Sequence, residues 1–131
     1  MVALTIYDLK GRHEAKSLAD FQAVLEKRYG PDANSFWIWH YEEKNPAISL
    51  LVRGNLSCIH YFPYEGHPGF VSVGTVESLD KDGFTSFRFE TVEQEQEIWN
   101  PHVISASAGI SAARDFFSSK DLPKSIEWKE L

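Results

Sequence analysis

Residues 35–74 constrain the fold of this chain more than any other stretch. They read SFWIWHYEE, then AISLLVRG, then LSCIHYFPYEGHPGFVSVG. Four successive strands are expected, at Phe36–Glu42, Ala47–Arg53, Leu56–Phe62 and Gly69–Gly74. Turn-forming residues separate them: Asn45-Pro46, Gly54-Asn55 and the segment Pro63–Pro68. Side chains alternate across a strand, so Phe36, Ile38 and His40 share one face and Trp37, Trp39 and Tyr41 the other. Likewise Ile48, Leu50 and Val52 oppose Ala47, Ser49, Leu51 and Arg53. Apolar mass on both faces predicts inner strands of an antiparallel sheet, with helices on one face and aromatic residues on the other.

The remaining segments supply edges and cover. Val2–Leu9 alternates and predicts a first strand, placed at an edge, and the polar run Gly11–Lys16 predicts a loop. A helix is expected over Leu18–Tyr29, with Leu18, Phe21, Val24 and Leu25 at helical spacing. Ser17 caps its first turn, Asp20 stands where a capping box places an acid, and Gly30-Pro31 ends it with glycine at C′. Phe84–Thr91 reads as a strand, Glu93–Glu97 as a turn or strand start, and Ile98–Ile104 as a short extended piece demoted to an edge by Pro101. A second helix is expected over Ala106–Lys120, capped by Ser105 and stopped before Pro123. Gly109 inside it costs about 1 kcal/mol relative to alanine, which points to a close backbone approach. Ile126–Leu131 closes the chain as a strand-like tail. Short turns between consecutive strands imply an antiparallel meander with two helices packed on one face, a two-layer α+β architecture. With 131 residues and no long linker, residues 1–131 are expected to form a single domain.

Charge narrows the function classes. A formal net charge of −6 argues against a nucleic-acid binder, which needs a basic stripe to displace counterions. The first sixteen residues lack the cationic and apolar blocks of a signal peptide, and no run approaches the ~20 apolar residues of a membrane span. A cytoplasmic protein without membrane contact is expected. Cys58 is the single cysteine, so no internal disulfide forms.

No catalytic constellation emerges. His13, His40, His60, His67 and His102 show no zinc-site spacing, and there is no nucleophile elbow or phosphate-cradling glycine loop. His40 and His60 facing one another on neighbouring strands, with Cys58, Tyr61 or a carboxylate such as Glu42, would make a small-molecule or enzymatic site. Hydrogen-bonded sheet histidines and a buried thiol are the other reading.

Two rims stand out. Residues 75–97 hold Glu77, Asp80, Asp82, Glu90, Glu93, Glu95 and Glu97, seven acids against Lys81 and Arg88, a local balance of −5 within the −6 of the chain. Glu93, Glu95 and Glu97 share a face if extended. Such a tract either docks on a basic protein groove in place of phosphates or is a solvated edge that resists aggregation. The second rim is Tyr61–Phe70 (YFPYEGHPGF), where Tyr61, Tyr64, Glu65 and His67 combine aromatic anchors with a carboxylate. It reads as an interface hot spot, a satellite core over the sheet edge, or the wall of a small-molecule cleft.

Three further segments carry a family resemblance: Gly69–Gly74 (GFVSVG), the run Ser105–Phe117 (SASAGISAARDFF), and the close Leu122-Pro123 … Ile126–Leu131 (IEWKEL) with its Trp128-x-Glu130. In their order and spacing the chain resembles the first-numbered immunity-protein family of bacterial polymorphic toxin systems, whose members protect against deaminase toxins. The resemblance implies a small α+β cytoplasmic protein without catalytic activity or cofactor. Such a protein binds a cognate toxin domain and blocks its active site or nucleic-acid groove. The toxin is then a zinc-dependent deaminase, and the zinc belongs to the toxin. Trp128 is expected to pin the tail onto the sheet, and Glu130 to hold that tail or touch the partner. The toxin contacts are expected among Tyr61, Tyr64, Glu65, His67, Glu77, Asp80, Asp82, Glu93, Glu95 and Glu97.

Overall fold

The structure, a computed structural model, describes residues 3–41 and 43–131. Val2 and Glu42, which the strand expectations included, lie outside them. The described residues form β1 (Leu4–Asp8), β2 (Gly11–Ala15), α1 (Leu18–Leu25), β3 (Ala33–His40), β4 (Ala47–Arg53), β5 (Leu56–Phe62) and β6 (Phe70–Val73). The chain continues through β7 (Phe84–Phe89), β8 (Thr91–Trp99), a 3₁₀ turn (Asn100–His102), β9 (Ile104–Ser105), α2 (Ala106–Ser119) and β10 (Glu127–Glu130). The main sheet runs β10-β6-β5-β4-β3-β1-β2, with β9 added to the start of β5, and every pairing is antiparallel. This is the expected α+β class with both helices on one face. No helix among the described residues is long and apolar enough to cross a membrane.

The meander is continuous only from β3 to β6. Gly11–Ala15 is a strand rather than a loop, and it takes the edge position expected of β1. Its sequence has no apolar alternation. It forms because Asp8 closes the turn, Oδ1 accepting from the backbone N–H of Lys10 (2.9 Å) and Gly11 (3.1 Å), which sets β2 against β1.

Helix α1 starts as expected, with Ser17 Oγ accepting from Asp20 N–H at 3.1 Å. Asp20 returns a bond to Lys16 N–H at 3.0 Å, one residue earlier than a capping box. The helix ends at Leu25, not Tyr29. The Arg28 guanidinium folds back to donate to the Leu25 carbonyl at 2.6 Å and satisfies the end without a C′ glycine. Tyr29 leaves the helix to bridge Ala33, and its hydroxyl donates to Asp8 at 2.9 Å. Helix α2 begins with the Ser105 cap expected of it and closes on Lys120 in the left-handed region.

The sheet is covered on both sides, so the molecule has three layers rather than two. On one face Leu4, Ile6, Phe36, Ile38, Ile48, Leu50 and Ile59 meet Phe21, Val24 and Leu25 of α1 and Ala112, Ala113 and Phe116 of α2. On the other face Leu51, Cys58 and Val71 meet Phe87 and Ile98 of the β7–β8 hairpin, together with Val103. Each fully buried side chain of this size gives about 1.5–3 kcal/mol of transfer free energy. The hairpin is therefore an anchored layer and not the solvated tract its composition allowed. Residues 93–97 belong to one strand, β8, which begins directly after Glu90 reverses the chain in the left-handed region (φ 64°).

Gly109 lets α2 approach β5 closely. A Cβ there would press on Ser57 Oγ and come within 3.0 Å of Leu50 Cδ1. Ser57 has little freedom to give way, because its hydroxyl donates to the Ser105 carbonyl at 2.7 Å. Overpacking costs about 1–3 kcal/mol, more than the propensity gain of about 1 kcal/mol. Gly109→Ala is therefore expected to destabilise by about 1–2 kcal/mol, seen as a lower urea midpoint. A raised midpoint would show that α2 stands off the sheet.

Candidate functional site

The β7–β8 hairpin has two distinct faces, fixed by its register. Thr85 opposite Ile98 and Phe87 opposite Gln96 point to the sheet; Phe84 opposite Trp99, Ser86 opposite Glu97 and Arg88 opposite Glu95 point away. Glu95 and Glu97 thus project from one outer face, as alternation predicted; Glu93 is exposed too, but it lies where the register shifts between Arg88 and Phe89, and Thr91 Oγ1 accepts there from the backbone N–H of Glu93 (3.3 Å) and Gln94 (3.2 Å). Arg88 pairs with Glu95 at 3.2 Å. At the root of the hairpin, Asn100 accepts from Thr85 Oγ1 (2.6 Å), donates through its side chain to the Asp80 carbonyl (2.6 Å) and through its backbone to Gly83 (3.0 Å). This network holds the turn carrying Asp80 and Asp82 beside the first pair of the ladder. Glu77 is exposed in the preceding loop.

The outer face also carries two residues that the sequence did not single out. Phe84 is 61% exposed and Trp99, directly across from it, 43%. Alternation along Phe84–Phe89 was readable. The pairing with Trp99, fifteen positions on and just before Pro101, depends on a register that no local signal gives.

The aromatic turn is a different object. Tyr61 is only 5% exposed, so the expectation that it touches a partner is corrected. It shares its face with Ile59 and lies edge-on to Phe116 (6.3 Å) and Trp128 (6.4 Å). Tyr64 and Glu65 are exposed at the tip of the turn, and Tyr64 is 62% so. His67 is built in: Nδ1 accepts from Gly69 N–H at 2.7 Å, which leaves Nε2–H to donate to Glu130 at 2.9 Å, and its ring stacks on Phe70 at 5.3 Å. Glu130 stands on β10, whose Trp128 donates from Nε1 to the Pro123 carbonyl at 2.6 Å and packs against the helix-side core. The structure therefore gathers Tyr64, His67, Trp128 and Glu130 at the β6–β10 end. Glu93, Glu95, Glu97, Asp80 and Asp82 lie on the hairpin layer.

His40, Cys58 and His60 do not converge. His40 lies under the helices, its Nε2 3.2 Å from the Phe117 carbonyl oxygen and its ring edge-on to Phe116. Cys58 and His60 lie on the hairpin side. Burial pushes the Cys58 thiol up to about 12, only partly opposed by the Ser72 hydroxyl, so it stays protonated and unreactive. His60 stacks on Phe62 at 6.0 Å beside a hollow of about 130 Å³ walled by Trp37, Phe62 and Phe89. Among the described residues no three metal-ligating side chains come together. The enzymatic alternative loses its geometry on these placements.

The molecule is thus an α+β protein whose outward features are a rigid acidic, aromatic hairpin face and a braced aromatic turn. No family model matches the chain. The double-stranded DNA deaminase immunity protein of Burkholderia cenocepacia (strain H111) is 28% identical over 124 residues, which cover 95% of this chain and 97% of that protein. The resemblance to immunity proteins of deaminase toxins, which the sequence shows over most of the chain and best in its second half, is thus borne out along nearly the whole chain.

Burial, and secondarily the charge of His102, lowers the His60 pKa to about 4. The unfolded chain takes up this proton near pH 6.5 while the folded chain resists it. Stability is thus complete above pH 6.5 and falls on acidification toward pH 4, by about 3 kcal/mol for a shift of that size. His60→Phe, which keeps the stack on Phe62, is expected to flatten that slope in denaturant titrations at pH 7 and pH 4.5. An unchanged slope would assign it to other groups.

Proposed function

We propose that this chain is an immunity protein that binds and neutralises a cognate deaminase toxin domain by stoichiometric occlusion. The observation that carries the reading is the end-to-end likeness to an immunity protein named for a double-stranded DNA deaminase. The separation of His40, Cys58 and His60 supports a role in binding rather than catalysis. The chain acts as one domain, in the cytoplasm, where a toxin directed at nucleic acid would do its damage. It needs no cofactor. A zinc-activated water on the toxin does the chemistry that the chain blocks.

A nucleic-acid deaminase presents a basic groove, because its substrate is a polyanion. Glu93, Glu95 and Glu97, with Asp80, Asp82 and Glu77 nearby in the chain, are the carboxylates that steer this protein toward such a groove. Tyr64 and Glu65, on the turn braced by His67 and Glu130, are a second contact region.

Co-expression with the toxin encoded beside it tests the function. Cells carrying the chain are expected to survive induction of the toxin, and one equivalent of the purified chain to abolish deamination in vitro. Equal killing with and without the chain would refute the reading. Charge reversal at Glu93, Glu95 and Glu97 is expected to slow association about tenfold at low salt, with the difference shrinking as salt is raised. An unchanged association rate would take these residues out of the interface.

A further inference from the structure

We infer that the outer face of the β7–β8 hairpin mimics a stretch of nucleic acid, with Phe84 and Trp99 in the place of bases and the carboxylates of Glu95 and Glu97, joined by Glu93 at the tip, in the place of phosphates. Its occupant is the basic, base-accepting cleft of a deaminase domain. The inference rests on the immunity reading and assigns it a surface.

The aromatic pair carries the argument. Phe87 and Ile98 already anchor the hairpin from its inner face, so the hairpin does not need Phe84 or Trp99 for its own burial. Yet the register sets these two directly opposite one another on the side away from the sheet, Phe84 mostly in water and Trp99 nearly half so. Adjacent exposed aromatics on a rigid support are the side chains that form interface hot spots. The support is rigid here. Asn100 ties the root of both strands to the Asp80 turn, and the Trp99 ring stands edge-on to His102 at 5.5 Å and 75°. Little conformational entropy is left to lose on binding.

The charges select the partner. Alternate residues of a strand recur about every 6.7 Å, so Glu95 and Glu97 are spaced like neighbouring phosphates along a nucleic-acid strand, and Glu93 adds a third exposed carboxylate at the bulged tip. Among the described residues only Glu95 of the three has a cationic partner, Arg88. Asp80 and Asp82 are exposed on the turn that Asn100 ties to the root of the hairpin. A second copy meeting this face through a two-fold axis would set carboxylates against carboxylates. Nucleic acid and anionic lipid surfaces are repelled for the same reason. A basic protein surface around an apolar slot is the complement that remains. A deaminase offers one, because it binds phosphates along its groove and takes a base into a pocket where aromatic contacts are favourable.

The test uses the purified full chain, the deaminase domain of the toxin encoded beside it, and a fluorescent oligonucleotide substrate. The chain is expected to displace the oligonucleotide competitively. Phe84→Ala with Trp99→Ala is expected to raise the dissociation rate about 30-fold or more while leaving association within about threefold. Both side chains lie outside the Phe87–Ile98 anchor of the hairpin, so the variant is expected to stay folded, which its thermal midpoint checks. A Ser111→Asp control on the opposite, helical side is expected to bind within about twofold of the parent. If the aromatic double variant binds and displaces DNA as the parent does, or if the helical control loses as much affinity, this surface is wrong and the immunity reading stands. If the parent chain fails to bind the deaminase domain at all, the immunity reading itself fails.

Discussion

The structure depends on the burial of β4 from both sides. Its ladder to β3 and β5 uses the backbone, Ile48, Leu50 and Val52 point to the helices, and Leu51 points to the hairpin. A strand with two apolar faces cannot end at water on either. One cover is ordinary for an α+β sheet, namely two helices contributing Phe21, Leu25, Ala113 and Phe116. The second cover must come from chain that composition would assign to solvent. The hairpin meets that demand by alternation, with Phe87 and Ile98 facing inward and carboxylates outward. The acidic face is therefore positioned by the core, and its geometry inherits the core's rigidity.

Polar staples fix what apolar packing leaves loose. Burial of the Asp8 carboxylate works against its ionisation, but bonds from Lys10, Asn34, Tyr29 and His13 outweigh it and hold its pKa below the usual value. Through them one side chain joins the β1–β2 turn to the segment between α1 and β3. Asn100 does the same for the hairpin root, and His67 ties the β5–β6 turn to β10. Each staple joins segments far apart in sequence, which is why removing one should loosen a rim and spare the central strands.

Much of this could be read from residues alone, and the failures have physical causes. Strands β3 to β6 were legible because alternation and turn residues agree. The Ser17 and Ser105 caps, and the close approach at Gly109, followed from local chemistry. Strand β2 was missed because GRHEA has no apolar pattern and exists through pairing with β1. The end of α1 was overrun because the early stop comes from the Arg28 side chain and from Tyr29 reaching Asp8, both outside helical periodicity. At the candidate site, the shared face of Glu95 and Glu97 was visible as alternation, and the bulge that takes Glu93 out of that row was not. Tyr61 was misplaced by one question of parity, since sequence alone does not say which face of β5 the helices cover. Phe84 and Trp99 were not recognised as a pair, because cross-strand register is a tertiary fact.

The two open margins of the main sheet are β2 and β10. Both carry charges of both signs, Arg12 and Glu14 on one, Glu127, Lys129 and Glu130 on the other. Charged margins resist the addition of a further strand. On the immunity reading proposed above, recognition is thereby pushed away from backbone pairing, which any extended peptide can satisfy, and onto side chains standing on a finished ladder. A surface of that kind can be rewritten residue by residue without disturbing the fold beneath it. If the hairpin is the toxin-binding face, as proposed, one scaffold can therefore track a changing adversary through a handful of substitutions there.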